Sequence, residues 1–201
     1  GGGGGEPITI VCSEKGWVRA FKGHLDDLSD IRYKEGDRER FSLRAESTDK
    51  LLVFATNGRF YTIACDRLPG GRGDGEPLKL MVDLGSADVV QLLLFKGGRK
   101  LIVASSDGRG FVVPEDEVVA QTRAGKQVLN LPEGVEARAC AVVEGDTVAV
   151  IGENRKLLLF PVAQLPEMTR GRGVILQRYH SGGLSDLKGF NRADGLSWRA
   201  G

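Results

Sequence analysis

Apolar residues in this chain fall in short runs separated by polar turns, and the runs come in pairs. ITIVC is followed by WVRAF, LLVFA by FYTIA, LIVAS by GFVV, and TVAVIG by LLLFPV. Runs this short, rich in Val, Ile, Phe and Thr, read as strands, and no long window shows the three-and-four spacing of an amphipathic helix. VPEDEVVAQ, from Val113, has the composition for a single helical turn. Between the paired runs stand Lys15-Gly16, Asn57-Gly58, Asp107-Gly108 and Glu153-Asn154. Asn-Gly and Asp-Gly in that setting predict hairpins closed by type I′ turns, whose two central residues need positive φ.

The pairs belong to a longer repeat. DKLLVFATNGRFYTIACDRLPGGRGDGEPLKLMVDL from Asp49, RKLIVASSDGRGFVVPEDEVVAQTRAGKQVLNL from Arg99 and DTVAVIGENRKLLLFPVAQLPEMTRGRGVILQRY from Asp146 follow one plan. Each runs hairpin, polar turn, an arginine and glycine element, then another strand. EPITIVCSEKGWVRAFKGH from Glu6 is a more diverged first copy. The turn glycines at 16, 58 and 108 lie 42 and 50 residues apart, and Asn154 follows 46 later. An all-strand repeat of about 40 to 50 residues is blade arithmetic. It predicts an all-β, propeller-like architecture of about four blades, with repeats at about 6–48, 49–98, 99–145 and 146–201 in one domain spanning 6–201. The glycines at 1–5 carry no pattern and are read as a tag or artefact, and residues 196–198 offer a closing strand.

Charge changes this picture more than composition does. The formal net charge is only +1, yet residues 155–201 hold 8 Lys and Arg against 3 Asp and Glu, whereas residues 49–154 hold 12 against 15. No run approaches the roughly 18 to 20 apolar residues of a membrane helix, and nothing at the start resembles a signal peptide, so a cytoplasmic protein away from membranes is expected. Cys12, Cys65 and Cys140 lie far apart in apolar runs and read as buried reduced thiols rather than a metal site or disulfides. GGRGDGEP lacks the G-K-[ST] ending of a phosphate-cradling loop. His24 and His180 each sit beside glycine or serine with no triad spacing, so no catalytic residue, metal or cofactor is expected.

Aligned by repeat, SEKGWVRAFKGH, TNGRFYTIACDRLPGGRGDGEP, SSDGRGFVVPEDEVVAQTRAGKQVLN and GENRKLLLFPVAQLPEMTRGRGVILQRY resemble the C-terminal domain of the A subunit of bacterial type IIA topoisomerases, and among these topoisomerase IV. The likeness extends from about Glu6 to Trp198. It implies a β-pinwheel, a propeller-shaped disc whose blades exchange a strand, that bends duplex DNA over its outer rim. Its implied partners, besides double-stranded DNA, are the rest of the A subunit, which holds the DNA-cleaving tyrosine in a separate N-terminal domain, together with the ATPase B subunit. Gyrase A subunits carry a Q-(R/K)-R-G-G-(R/K)-G box for complete wrapping, and this sequence has no such heptapeptide. A gyrase-type wrapping domain and a propeller-like protein-interaction scaffold are the alternatives.

The arginine and glycine element supplies the candidate site: Arg72-Gly73, then Arg123-Ala124-Gly125-Lys126, then Arg170-Gly171-Arg172-Gly173. Equivalent positions of similar blades lie around one perimeter, so these cations would form a discontinuous track for phosphates, which duplex DNA presents at about one charge per 1.7 Å. Asp74 and Glu76 weaken the field at Arg72. Hairpin cations Lys15, Arg19, Lys22, Arg59, Arg109, Arg155 and Lys156 form a second set, although strand cations also cover apolar surface with their stems. EMTRGRGV is expected to be the strongest anchor, because Arg155, Lys156, Arg178 and Lys188 surround it with few acids. The competing reading is a tight turn with solvated arginines.

Overall fold

The computed structural model describes residues 4–152, 157–176 and 184–190. Its strands, in chain order, are β1 (Pro7–Ser13), β2 (Trp17–Lys22), β3 (Glu39–Glu46), β4 (Lys50–Ala55), β5 (Arg59–Ala64), β6 (Glu76–Pro77), β7 (Val89–Leu94) and β8 (Lys100–Ser105). They continue with β9 (Arg109–Pro114), β10 (Lys126–Gln127), β11 (Ala137–Val142), β12 (Thr147–Gly152), β13 (Leu157–Pro161), β14 (Val174–Ile175) and β15 (Leu184–Phe190). No α-helix occurs among the described residues. The single turn expected in VPEDEVVAQ is a 3-10 turn at Glu115–Glu117, and Cys65–Arg67 and Val162–Gln164 repeat it directly after β5 and β13.

The four paired runs form the four antiparallel hairpins β1–β2, β4–β5, β8–β9 and β12–β13. The Asn57-Gly58 and Asp107-Gly108 turns differ from the expected type, and Glu153-Asn154 lies outside the described residues. Gly58 N–H donates to Ala55 O at 2.9 Å and Gly108 N–H to Ser105 O at 3.0 Å, which leaves three-residue loops with a positive-φ glycine last. In each, a four-residue turn ends on the left-handed glycine, and only that glycine needs positive φ. Leu51, Leu52, Val53, Phe54 and Ala55 are all fully buried, as are Leu101 to Ala104, so the inner strands are covered on both faces. Unbroken apolar runs rather than alternation follow from that. Phe54 stacks on Phe60 with ring centroids 4.5 Å apart.

Sheet order reveals what the hairpins do not. The sheets run β3-β1-β2-β6, β10-β5-β4-β7, β11-β8-β9-β14 and, among the described residues, β13-β12-β15. In the first three, the last strand of the order or its mirror is a two-residue strand from the following repeat: β6 adds to β2, β10 to β5, β14 to β9. Each hairpin thus receives a strand from the next. Residues then fall in strict register. Leu78, Val128 and Leu176, which follow the exchanged pairs, are buried, and their N–H groups donate to the turn glycines Gly16, Gly58 and Gly108 at 2.9, 3.1 and 2.7 Å.

The chain divides into two compact units. The first holds residues up to Phe54 with Phe60–Phe95 and Val119–Lys126, and the second holds Ala55–Arg59, Lys96–Val118 and the residues from Gln127 on. Within the second, Glu115 is completely buried after β9. It accepts from Arg99 Nε at 3.2 Å, Arg99 Nη2 at 2.6 Å, and the N–H groups of Lys96 and Gly97 at 3.2 and 2.8 Å. Burial by itself would raise this carboxyl's pKa, but the Arg99 guanidinium and the two N–H donors outweigh it and hold the group below its usual range.

Candidate nucleic-acid interface

Each arginine and glycine element is the loop that leads into an exchanged strand. The residue just before that strand is always a glycine with positive φ: Gly75 at +84°, Gly125 at +72° and Gly173 at +77°. A Cβ there would stand 2.3 Å from Val18 O, 2.7 Å from Phe60 O and 2.0 Å from Gly110 O. Val18, Phe60 and Gly110 are equivalent residues of the receiving strands β2, β5 and β9. These glycines therefore serve close backbone approach.

Counted from that glycine, the cations do not fall at one offset. Arg72 and Arg170 stand three residues before it, Arg123 two, Arg172 one, and Lys126 one after. Asp74 occupies in the first loop the place that Arg172 occupies in the last. Glycine register is what the fold imposes, and cation placement varies around it.

All five of these cations are exposed, and their surroundings differ. Arg72 makes no hydrogen bond or ion pair among the described residues. Arg123 Nε lies 3.5 Å from Asp83 Oδ1 and its Nη2 donates to Leu80 O at 2.9 Å. Arg170 Nε donates to Asn130 Oδ1 at 3.0 Å. Arg172 Nη2 lies 3.5 Å from Asp107 Oδ2, at the turn of the receiving hairpin. Pairs this exposed are weak and exchange readily with water or another anion. Asp83, Asp107 and Asn130 are 40 or more residues from their arginines, so no local sequence signal could have found them.

The hairpin cations divide sharply. Lys15 and Lys22 are exposed, whereas Arg59 and Arg109 are half-buried, with Arg109 Nη1 3.5 Å from Gly173 O. Arg19 is a correction: at 5% exposure its guanidinium is buried and donates to the carbonyls of Gly73 and Arg32, so it touches no surface ligand. Arg155, Lys156 and Arg178 lie outside the described residues. Lys188 is placed by its backbone in β15, opposite Ala149. His180 and residues 196–198 also lie outside the described residues. Of the EMTRGRGV cations and their neighbours, the described residues show the side chains of Arg170 and Arg172.

The remaining chemistry is quiet. Cys12, Cys65 and Cys140 are free and buried, and burial pushes each thiol up to about 12. His24 Nε2 is 2.9 Å from Ala45 O, and Tyr61 is buried with its hydroxyl donating to Asp83 O at 3.0 Å. Among the described residues no group of three or more His, Cys, Asp and Glu side chains is placed to hold a metal, and no helix is long and apolar enough to cross a membrane.

Comparison with known proteins gives one consistent family. The model for the DNA gyrase C-terminal domain, beta-propeller, matches residues 99–144 and 146–184. The A subunit of DNA topoisomerase 4 from Rickettsia bellii is 53% identical over 196 residues, covering 98% of this chain and 27% of that protein. Its namesake from Caulobacter vibrioides is 51% identical over 195 residues, covering 96% and 25%, so the chain spans about a quarter of the length of these curated relatives. The E. coli ParC C-terminal domain superposes with a TM-score of 0.81 at 35% identity, covering 92% of this chain and 79% of that one. A DNA gyrase A C-terminal domain superposes with a TM-score of 0.68 at 15% identity over 90% of this chain and 64% of that one, a likeness of fold alone.

Proposed function

This chain belongs to the family of topoisomerase IV A subunits, to the β-pinwheel of their C-terminal domain, and from that premise we propose that it is a non-catalytic module that binds and bends duplex DNA. In the whole enzyme it would guide the duplex during decatenation and supercoil relaxation, joined to the rest of the A subunit, with the ATPase B subunit as partner, in the cytoplasm. One observation carries the reading. Three successive loops with exposed arginines are each pinned in place by a strand exchange, so their cations are held on rigid backbone rather than on free tails.

Physically, Arg72, Arg123, Lys126, Arg170 and Arg172 would each replace a counterion on a phosphate. Five such contacts correspond to a slope of about −4 to −5 in log affinity against log salt. Base edges are not read, because the loops present cations beside glycine rather than a groove-fitting helix or ribbon. The acidic partners Asp83 and Asp107 keep the affinity modest, and bending is incomplete. Titrating unrelated duplexes at several salt concentrations tests this. Near-equal affinities with a steep slope are expected. A preference above about a hundredfold for one sequence, the scale at which several base pairs are read, refutes non-specific binding. No retention of DNA at any salt refutes the function and favours a protein-interaction scaffold.

A further inference from the structure

In hairpin register Arg19 of β2 occupies the position of Tyr61 in β5 and Phe111 in β9, both fully buried core aromatics. A cation in that position is unusual chemistry. Its guanidinium lies 5.0 Å from the Phe21 ring centroid and 5.4 Å from that of Tyr33, and its hydrogen bonds run to the Gly73 and Arg32 carbonyls. Among the described residues no carboxylate lies within ion-pairing distance of it. A buried charge without a counter-charge is costly, and two carbonyls with two aromatic faces offset only part of that cost.

The loop that carries Arg72 is moulded around this group. Gly71 lies flat on Phe21, where a Cβ would come 2.3 Å from the ring Cδ1. Gly73 gives its carbonyl to Arg19, and Gly75 presses on Val18 O and the Cβ of Arg19. Backbone on both sides of Arg72 is therefore fixed, while the Arg72 side chain is exposed and unpaired among the described residues. Lys22 flanks the same open groove.

The geometry points to Arg19 as the positioning residue for Arg72: by holding the Gly73 carbonyl it presents Arg72 to a phosphate of duplex DNA, and its own uncompensated charge lies against the same loop. This rests on the DNA-binding reading above. The next loops lack the device, because Tyr61 and Phe111 stand in its place.

Arg19→Phe in the 201-residue chain installs the aromatic that β9 already carries, so the core position stays filled. Its affinity for a mixed-sequence duplex should fall about tenfold, the scale of one charge-assisted contact, and the salt slope should shrink by about 0.9. Arg72→Ala should lose as much, and the double variant should lose no more than either single change. Wild-type affinity and slope in Arg19→Phe, or losses that multiply in the double variant, would overturn the proposal. A readout without DNA accompanies these: exchange of the Ala20 amide, which donates to Pro69 O at 2.8 Å at the head of the same loop, should quicken about tenfold, on the order of one lost hydrogen bond, with the Val112 amide, which donates to Pro166 O at 3.0 Å before the last loop, unchanged. Unchanged exchange overturns the positioning role even where DNA affinity drops. Failure of the wild-type chain to bind DNA would instead overturn the functional reading, and Arg72 presentation with it. Should Arg19→Phe not fold, Arg19→Tyr, after the residue of β5, serves the same comparisons.

Discussion

Gly173→Ala tests whether the exchange glycines are needed for space or only for conformation. At φ of +77° any L residue costs about 1 to 2 kcal/mol. The added Cβ would also stand 2.0 Å from Gly110 O and 2.4 Å from its carbonyl carbon, both backbone atoms that cannot swing away. The chain will take the cheaper of two responses, strain or detachment of β14. Detachment exposes Leu176, now 5% exposed, at about 1.5 to 3 kcal/mol, and gives up its 2.7 Å bond to Gly108 O at about 1 kcal/mol. The loss should therefore reach about 2.5 to 4 kcal/mol, bounded by detachment rather than by the clash. Gly134, at φ +80° with nothing within 4 Å of its would-be Cβ, is the internal control. Gly134→Ala should lose only the conformational 1 to 2 kcal/mol or so. Urea unfolding of both variants reads the difference as a shift in midpoint at equal slope. Equal losses in the two variants would refute the close-approach argument and leave the glycine needed for its φ alone.

Glu115→Ala should destabilise the protein by about 1 to 3 kcal/mol, because it removes the buried carboxylate on which Arg99 and the Lys96 and Gly97 N–H groups converge, and thermal unfolding checks this. Since the folded-state pKa of Glu115 is depressed, its contribution is complete above the usual 4.5 and is lost as pH falls through the lower folded value; Glu115→Gln should flatten the acid limb of the stability profile. Asp107→Asn releases Arg172 from its 3.5 Å partner and should raise DNA affinity and steepen the salt slope, measured by fluorescence anisotropy. Arg170→Ala with Arg172→Ala should leave the unfolding midpoint nearly unchanged, as expected of exposed loop arginines, while shrinking the salt slope by up to about 1.8. Thiol reagents at pH 8 should leave Cys12, Cys65 and Cys140 unmodified until the protein unfolds, since burial holds each thiol near 12; stoichiometric labelling of the folded chain would contradict the burial.

Local chemistry was sufficient for much of the fold. Apolar runs of strand length, paired across short polar turns, specify four hairpins, and their spacing specifies the repeat, because neither depends on residues far away in the chain. The arginine and glycine elements were legible for the same reason. The exchange was implied only by the family resemblance and not by local chemistry: β6, β10 and β14 are two residues long, too short for any periodicity, and exist only because another hairpin offers its edge. That non-local pairing turns Gly75, Gly125 and Gly173 from flexible loop residues into contact points, and it puts Arg19 in a core position that the sequence reads as a solvated hairpin cation. It also brings Asp107 to Arg172 and Asn130 to Arg170 across separations of 65 and 40 residues. Sequence determined which residues could carry positive charge on loops; tertiary structure decided which of them are exposed, which are held by acids, and which one is buried to hold another in place, because burial and pairing belong to neighbours in space rather than along the chain.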